Sequence, residues 1–566
     1  MRNRFVLLSS AALLFAGTAA GALAQSPMFD TTRLSNHVKT LGSDAFEGRA
    51  PATRAEQKTV DYLIAQFKAA GLQPGGAVVD GKRGWTQPVP LLKSDWAAAP
   101  QLTLSLNGQN ATLTQGTEIA ARSPTNGAKG LNLDNVPLVF VGYGVKAPER
   151  GWDDFKGQDL KGKIMVVLVN DPDFEGGEGD FGGKAMTYYG RWTYKYQEGA
   201  RQGAAGVLVI HETDPASYGW NTVKNSNTNT MFDIVRANPG AEHPPLEAWI
   251  QRDLAQRIFA ASGLDFDAMK AAARKKDFQP VALKASLTAK GSANTEVITS
   301  QNVVGLLPGK KRPDETIIYT AHWDHLGIGK PDAEGDTIYN GALDNATGLA
   351  QLIEQARSFA REPRTDRSLV FLAVTAEEKG LLGSEYYAQN PLYPRGKTVG
   401  VLNTDGGAIA GKAKNFTISG NAKLGLLDML IAEAKKQGRY YSADPHPEAG
   451  HFYRSDHFSM AKVGIPAISF NGGNDLVDGG IERGEALEKE YVEKHYHQPS
   501  DEWAADWRFD GMAEDTALLH MLGRDLANSN AWPNWSEDSE FRATRDQTAG
   551  ERDIAPTLVS KPGERG

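Results

Sequence analysis

The chain contains no cysteine at all. That excludes disulfides as a source of stability and excludes thiolate from any metal site. A bound zinc would have only His, Asp and Glu to hold it, the ligand set of hydrolytic centres rather than of structural zinc fingers. Basic runs are equally scarce. None exceeds three residues, as at Arg274-Lys275-Lys276, and the net charge of -8 is spread along the chain. No stripe of the kind that tracks nucleic-acid phosphates is present, so a small-molecule or peptide substrate is expected and a nucleic-acid partner is not.

Long apolar runs are missing except at the N-terminus, where Arg2 and Arg4 precede an apolar stretch from Phe5 to Ala20 and then Ala22-Leu23-Ala24 before Gln25. The stretch is short and ends in small residues rather than a charged stop, which reads as a secretory signal peptide over residues 1–24 and not as a transmembrane anchor. No stable membrane anchor is expected, and the destination is the periplasm or the external medium. With 566 residues the chain is too long for one core, so two or three domains are expected.

Helical spacing of Val60, Leu63, Ile64 and Phe67, closed by Gly71 and Pro74, predicts helices between Thr31 and Leu72. Short apolar runs with Gly/Asn turns then predict paired strands to about residue 128. Val136 to Tyr143, Lys163 to Val169 and Ala205 to Ile210 are β-branched runs bounded by Gly, with a helix from Tyr194 to Gln202, and read as a separate small α/β module. Its Gly-rich stretch Glu175 to Gly183 lacks the Lys-Ser/Thr of a phosphate loop and reads as a surface loop. From Asn302 onward strands alternate with helices (Thr316 to Ala321, Ala346 to Phe359, Ser368 to Thr375, Leu381 to Gln389, Val399 to Asn403, Leu424 to Gln437, Ala467 to Phe470). This predicts an α/β fold with a mixed central sheet and helices on both faces. Active groups of such sheets sit beyond the carboxyl ends of strands. The charged tail after Asn534 is expected to be mobile.

Of eleven histidines, eight lie between residues 322 and 520. His322 ends a predicted strand, and Asp324 stands two residues on, where it can take the other imidazole nitrogen. Asp344 lies in Gly341-Ala342-Leu343-Asp344-Asn345-Ala346-Thr347-Gly348; an Asp before a helix is more often an N-cap, but here it is aimed at the strand ends. Glu377 and Glu378 follow another strand, and two adjacent carboxylates repel unless a cation divides their tasks: one binds metal, the other handles a proton. Asp405 holds the same place one strand later, and His497 lies in the distant loop Tyr496-His497-Gln498-Pro499-Ser500-Asp501. Five ligands with one carboxylate shared give three to each of two ions, so two Zn2+ per chain are expected.

The segments Ala321 to His325, Gly341 to Gly348, Thr375-Ala376-Glu377-Glu378, Asn403-Thr404-Asp405 and Tyr496 to Asp501 resemble the zinc metallopeptidase family of bacterial leucyl aminopeptidases and glutamate carboxypeptidases, which also includes the transferrin receptors. The motifs cover the half from about 295 to 530 in the family's order. Val141-Gly142-Tyr143-Gly144 and Gly203 to Val207 resemble the protease-associated domain often inserted in this family. The resemblance implies an N-terminal peptidase part over 25–130, the insertion over 131–291, the catalytic domain over 292–533 and a tail over 534–566. It further implies the phosphorylase/hydrolase-like exopeptidase fold and peptide substrates, with His322 and Asp405 on one zinc, Glu378 and His497 on the other and Asp344 between them. Asp324 would support His322, Glu377 would be the general base, and Tyr496 would help stabilise the oxyanion. The resemblance favours an aminopeptidase. It also admits a glutamate-carboxypeptidase-like enzyme, for which Arg454 is a candidate carboxylate partner, or a non-catalytic receptor-like protein, although every proposed ligand is retained. Oligomeric state is left open.

Overall fold

The computed structural model describes residues 29–177, 179–420, 422–552 and 557–559, so the signal segment expected over 1–24 lies outside the described residues. The first helix, Thr31–Leu41, starts where the Asp30 carboxylate accepts from the backbone of Thr32 and Arg33. Arg54–Ala70 is capped by Thr53 and stopped by Gly71 at φ 92°, a left-handed position open to glycine without strain. Its face of Val60, Leu63 and Phe67 is buried in the main core with Leu349, Ile353 and Phe371.

Two sheets organise the described chain. At the centre of the first, Arg367–Val374, Arg312–His322, Thr398–Thr404 and Ala467–Gly472 run parallel. Antiparallel flanks are added by Asn415–Ile418 on one side and by residues 303–307 on the other. Thr347–Arg361 and Asp510–Asn528 pack on one core and His457–Lys462 contributes to another, so the sheet is mixed and covered on both faces. Strands Arg367–Val374 and Thr398–Thr404 are buried at every position, which explains their unbroken apolar runs.

The second sheet is smaller. Gly130–Phe140, Ile164–Leu168, Gly206–His211 and Leu246–Gln251 run parallel. Alternate residues serve opposite faces: Ile164, Val166 and Leu168 enter one core, Met165 and Val167 the other. Residues 101–121 also join this sheet, since Gln101–Leu106 pairs with residues 285–290 and Ile119–Ala121 with Leu246–Gln251. The second unit therefore takes in strands of the stretch 25–130, expected in the peptidase part, because their backbone pairs with this sheet. One strand, Val281–Leu307, connects the two sheets by changing partners along its length.

The tail departs from expectation. Trp535 is 2% exposed and Arg545 is 1% exposed, and Trp532–Asn534 pairs with Thr557–Val559. Aromatic anchors on an otherwise charged segment hold it against the main core, where Phe541 meets Phe452 and Trp535. No helix among the described residues is long and apolar enough to cross a membrane.

Candidate metal centre

The carboxyl ends of the parallel strands deliver the chemistry. His322 is the last residue of its strand, Glu377 and Glu378 follow Arg367–Val374, and Asp405 follows Thr398–Thr404. Asp344 comes from the turn before Thr347–Arg361, and His497 from the loop after helix Gly480–Lys494. The turns are tight. Ala376 and His497 hold left-handed backbone at φ 53° and 57°, conformations that non-glycine residues adopt at a cost of about 1 kcal/mol or more. At Gly341 a Cβ would lie 2.2 Å from the Asp344 carbonyl oxygen and 2.5 Å from the His325 ring, so only glycine lets this turn close.

The five expected ligands converge as two groups sharing Asp344. His322 Nε2 lies 3.2 Å from Asp344 Oδ1 and 3.1 Å from Asp405 Oδ1. His497 Nε2 lies 3.4 Å from Asp344 Oδ2 and 3.0 Å from Glu378 Oε2. Ligands about 2.0–2.1 Å from a tetrahedral zinc stand roughly 3.3 Å from one another. The four histidine–carboxylate distances have that spacing, His322, Asp344 and Glu378 offer ligand atoms within 4.8 Å of one another, and the two oxygens of Asp344 face different histidines, a donor set that can take metal with Asp344 shared.

Charge balance supports the same reading. Burial disfavours charge on both histidines, but Asp405 and Glu377 hold His322 well above its ordinary range, and Glu378 and Asp344 bring His497 to about 9. Burial would raise Asp344 and Glu378, yet the histidines beside them hold both below the usual carboxylate range. Glu377 behaves differently. Burial pushes it well above that range and, although His322 opposes, Asp405, Glu378 and Asp456 add to the rise. Four close carboxylates around two imidazoles leave an excess of negative charge that bound cations would neutralise.

Asp324 departs from its expected contact. His322 Nδ1 meets the backbone oxygen of Asp324 at 3.1 Å, while its nearest carboxylate oxygen is 3.9 Å away. That carboxylate instead accepts from the backbone N–H of Glu377 at 3.0 Å and of Glu378 at 3.3 Å, so it positions the two glutamates. Tyr496 packs on His497 with ring centroids 4.0 Å apart, and its hydroxyl lies 3.3 Å from Arg454 Nη2.

Other supports carry weaker sequence signals. His325 Nδ1 lies 2.5 Å from Glu378 Oε1, and in the sequence its one signal is its place three residues after His322. Asp501 accepts from the backbone of Leu343 and Asp344, and its place in the Tyr496 to Asp501 motif was the available clue. Fully buried Arg49 donates to the carbonyls of Leu41, Trp323, Asn340 and Gly341, with no motif to announce it. Ser226, from the second unit, meets His497 Nδ1 at 2.8 Å, and Asn225 donates to the His497 carbonyl at 3.0 Å.

Two cavities meet at Glu377, Arg454 and Tyr496. The larger, about 860 Å³, is reached by Asp344 and Asp405 and walled by Phe470, Tyr491, Trp503 and Trp507. The smaller, about 160 Å³, lies between the two units and is reached by Glu378 and His497.

This arrangement, with imidazoles and carboxylates converging beyond the carboxyl ends of the strands of a mixed α/β sheet, is suited to a hydrolytic metal centre. Residues 302–521 match the model of peptidase family M28. Over 104 residues it is 39% identical to a protein of Pyricularia oryzae named a probable zinc metalloprotease, covering 18% of this chain and 20% of that one. Over 238 residues it is 27% identical to aminopeptidase YwaD of Bacillus subtilis, covering 40% of this chain and 45% of that one. The alignments thus span less than half the length of these curated relatives. Among solved structures, an aminopeptidase from Aneurinibacillus sp. strain AM-1 shares the fold with a TM-score of 0.52 at 20% identity, covering 88% of this chain and 94% of that one.

Proposed function

We propose that the chain is an exported di-zinc exopeptidase, an aminopeptidase that releases N-terminal residues from peptides in the periplasm or outside the cell. The observation that carries this reading is the sharing of Asp344, whose two oxygens face His322 and His497 within 3.4 Å. His322, Asp344 and Asp405 would hold one ion and Asp344, Glu378 and His497 the other. Zinc in such sites lowers the pKa of bound water towards about 7 and polarises a carbonyl. Glu377, raised by its burial and lined up at both cavities, takes a proton from the attacking water and passes it to the departing amine. Asp324 fixes Glu377 through its backbone N–H. Burial raises Tyr496 far above the usual phenol range, so its hydroxyl keeps its proton and can donate to the developing oxyanion.

The amine preference rests on sign of charge. Asp444, Glu488, Glu490, Glu502 and Asp506, none of them a metal ligand, line the larger cavity with Arg454, Arg483 and Arg508, and this surplus of carboxylates attracts a free α-amine and repels a carboxylate. Zinc-loaded protein is expected to cleave leucine anilide and to leave N-acetyl-leucine anilide intact. Equal cleavage of both would remove the aminopeptidase reading.

A further inference from the structure

The charged C-terminal segment lies beside a turn that borders the metal site. Residues 535–552 follow the stretch 302–521 that carries the family match, and they brace one another. Asn534 Nδ2 donates to Asp546 Oδ1 at 3.0 Å, Arg542 Nη1 donates to the Trp535 carbonyl at 3.0 Å, and Arg542 pairs with Asp546 at 2.7 Å. Buried Trp535 fixes one end of the segment and buried Arg545 the other. At Arg545 the backbone passes so close to Gly464 that a Cβ on that glycine would lie 2.7 Å from the Arg545 nitrogen. From this braced segment Phe541 stacks on Phe452, with ring centroids 5.7 Å apart and planes 29° from parallel, and meets Phe458 edge to face at 6.5 Å.

The turn that Phe541 meets depends on packing from other segments. His451–Tyr453 is a single helical turn with none of its three residues buried. Gly450 before it stands at φ 65°, where glycine imposes no steric preference that would fix the turn's direction. Tyr453 packs against Tyr188 of the second unit at 5.9 Å. Phe452 sits over Gly420, where a Cβ would lie 2.6 Å from its own Cβ, and stacks on Phe541. The next residue, Arg454, lines both cavities, whereas neither Phe452 nor Phe541 lines either. Arg454 Nη2 donates to the Tyr496 hydroxyl oxygen at 3.3 Å. A donor on a phenol oxygen polarises its O–H and strengthens the hydrogen bond that the same hydroxyl gives to an oxyanion. We infer that Phe541 is a positioning residue for the oxyanion donor: by holding Phe452 it sets Arg454 against Tyr496, so the C-terminal segment governs turnover without touching substrate. This inference rests on the peptidase reading above and on the role given there to Tyr496.

The test is a double-mutant cycle on zinc-loaded full-length protein with leucine anilide as substrate. Phe541→Ala is expected to lower kcat by roughly tenfold with KM little changed, the signature of an interaction made only in the transition state. Phe541→Tyr keeps the ring and should restore kcat. In a Tyr496→Phe background no hydroxyl remains to be oriented, so adding Phe541→Ala should lower kcat no further. Zinc content and circular dichroism at the assay temperature check that each variant is folded, and Phe541→Leu replaces Phe541→Ala in the cycle if that variant unfolds. Full additivity of the two substitutions, or the parent's kcat in Phe541→Ala, would overturn the positioning role and leave the peptidase reading standing. A zinc-loaded parent that does not cleave the anilide would sink the peptidase reading and this inference with it.

Discussion

Glu377 and His243 show how burial sets the task of a charged group. Glu377 sits against other carboxylates with its proton affinity raised, which suits a base that must both accept and return a proton. Glu377→Gln keeps the shape and all five ligands, so turnover should fall by about a hundred to ten thousand fold while metal content is unchanged; near-normal turnover would refute its role. His243 lies between Glu247 at 2.7 Å and Asp233 at 3.0 Å. Burial opposes its charge, but the two carboxylates win and raise it to about 10 from 6.5. A raised folded-state value stabilises fully below the unfolded value and fades as pH climbs towards the folded one. His243→Gln should therefore cost about 3 kcal/mol in urea unfolding at pH 6 and much less near pH 10; a pH-independent difference would count against the pairing. The ligands were legible because each ends a strand or sits in a Gly-rich turn. Ser226 and Arg49 were not, because a lone Ser or Arg far along the chain carries no spacing that points to a site.

At the scale of elements, alternation made the core of the peptidase sheet readable, since fully buried parallel strands are near-continuous apolar runs. Val281–Leu307 was harder. Its half-buried pattern changes partners midway, and periodicity along one strand does not say which sheet it serves. Helix Gly480–Lys494 buries only Gly484, so it shows no apolar stripe, yet it leads directly to Tyr496 and His497. A Cβ at Gly484 would lie 2.1 Å from the Asn474 carbonyl oxygen, forcing the helix or the facing loop to move. Gly484→Ala is expected to lower kcat/KM by roughly a hundredfold through displacement of His497, with secondary structure retained by circular dichroism. Unchanged kinetics would show that the helix is not what places the ligand.

Over the whole molecule, the second unit completes the metal centre rather than standing apart from it. Ser226 reaches His497 Nδ1 at 2.8 Å, the outer contact that fixes ring direction and tautomer of a ligating histidine. Ser226→Ala should weaken zinc binding at the Glu378–His497 position by about tenfold to a hundredfold, read by competition with a chelating dye, and leave the His322–Asp405 position largely intact. Equal loss at both positions would mean general unfolding instead. The signal segment stands on sequence alone, whereas the shared carboxylate and its two histidines rest on sequence and geometry together. Elemental analysis of the purified protein beside its Glu377→Gln variant tests that centre most directly. Two zinc-class ions per chain in both, with turnover only in the parent, is the expected result; one ion or fewer per chain in the active parent would contradict the bridged pair.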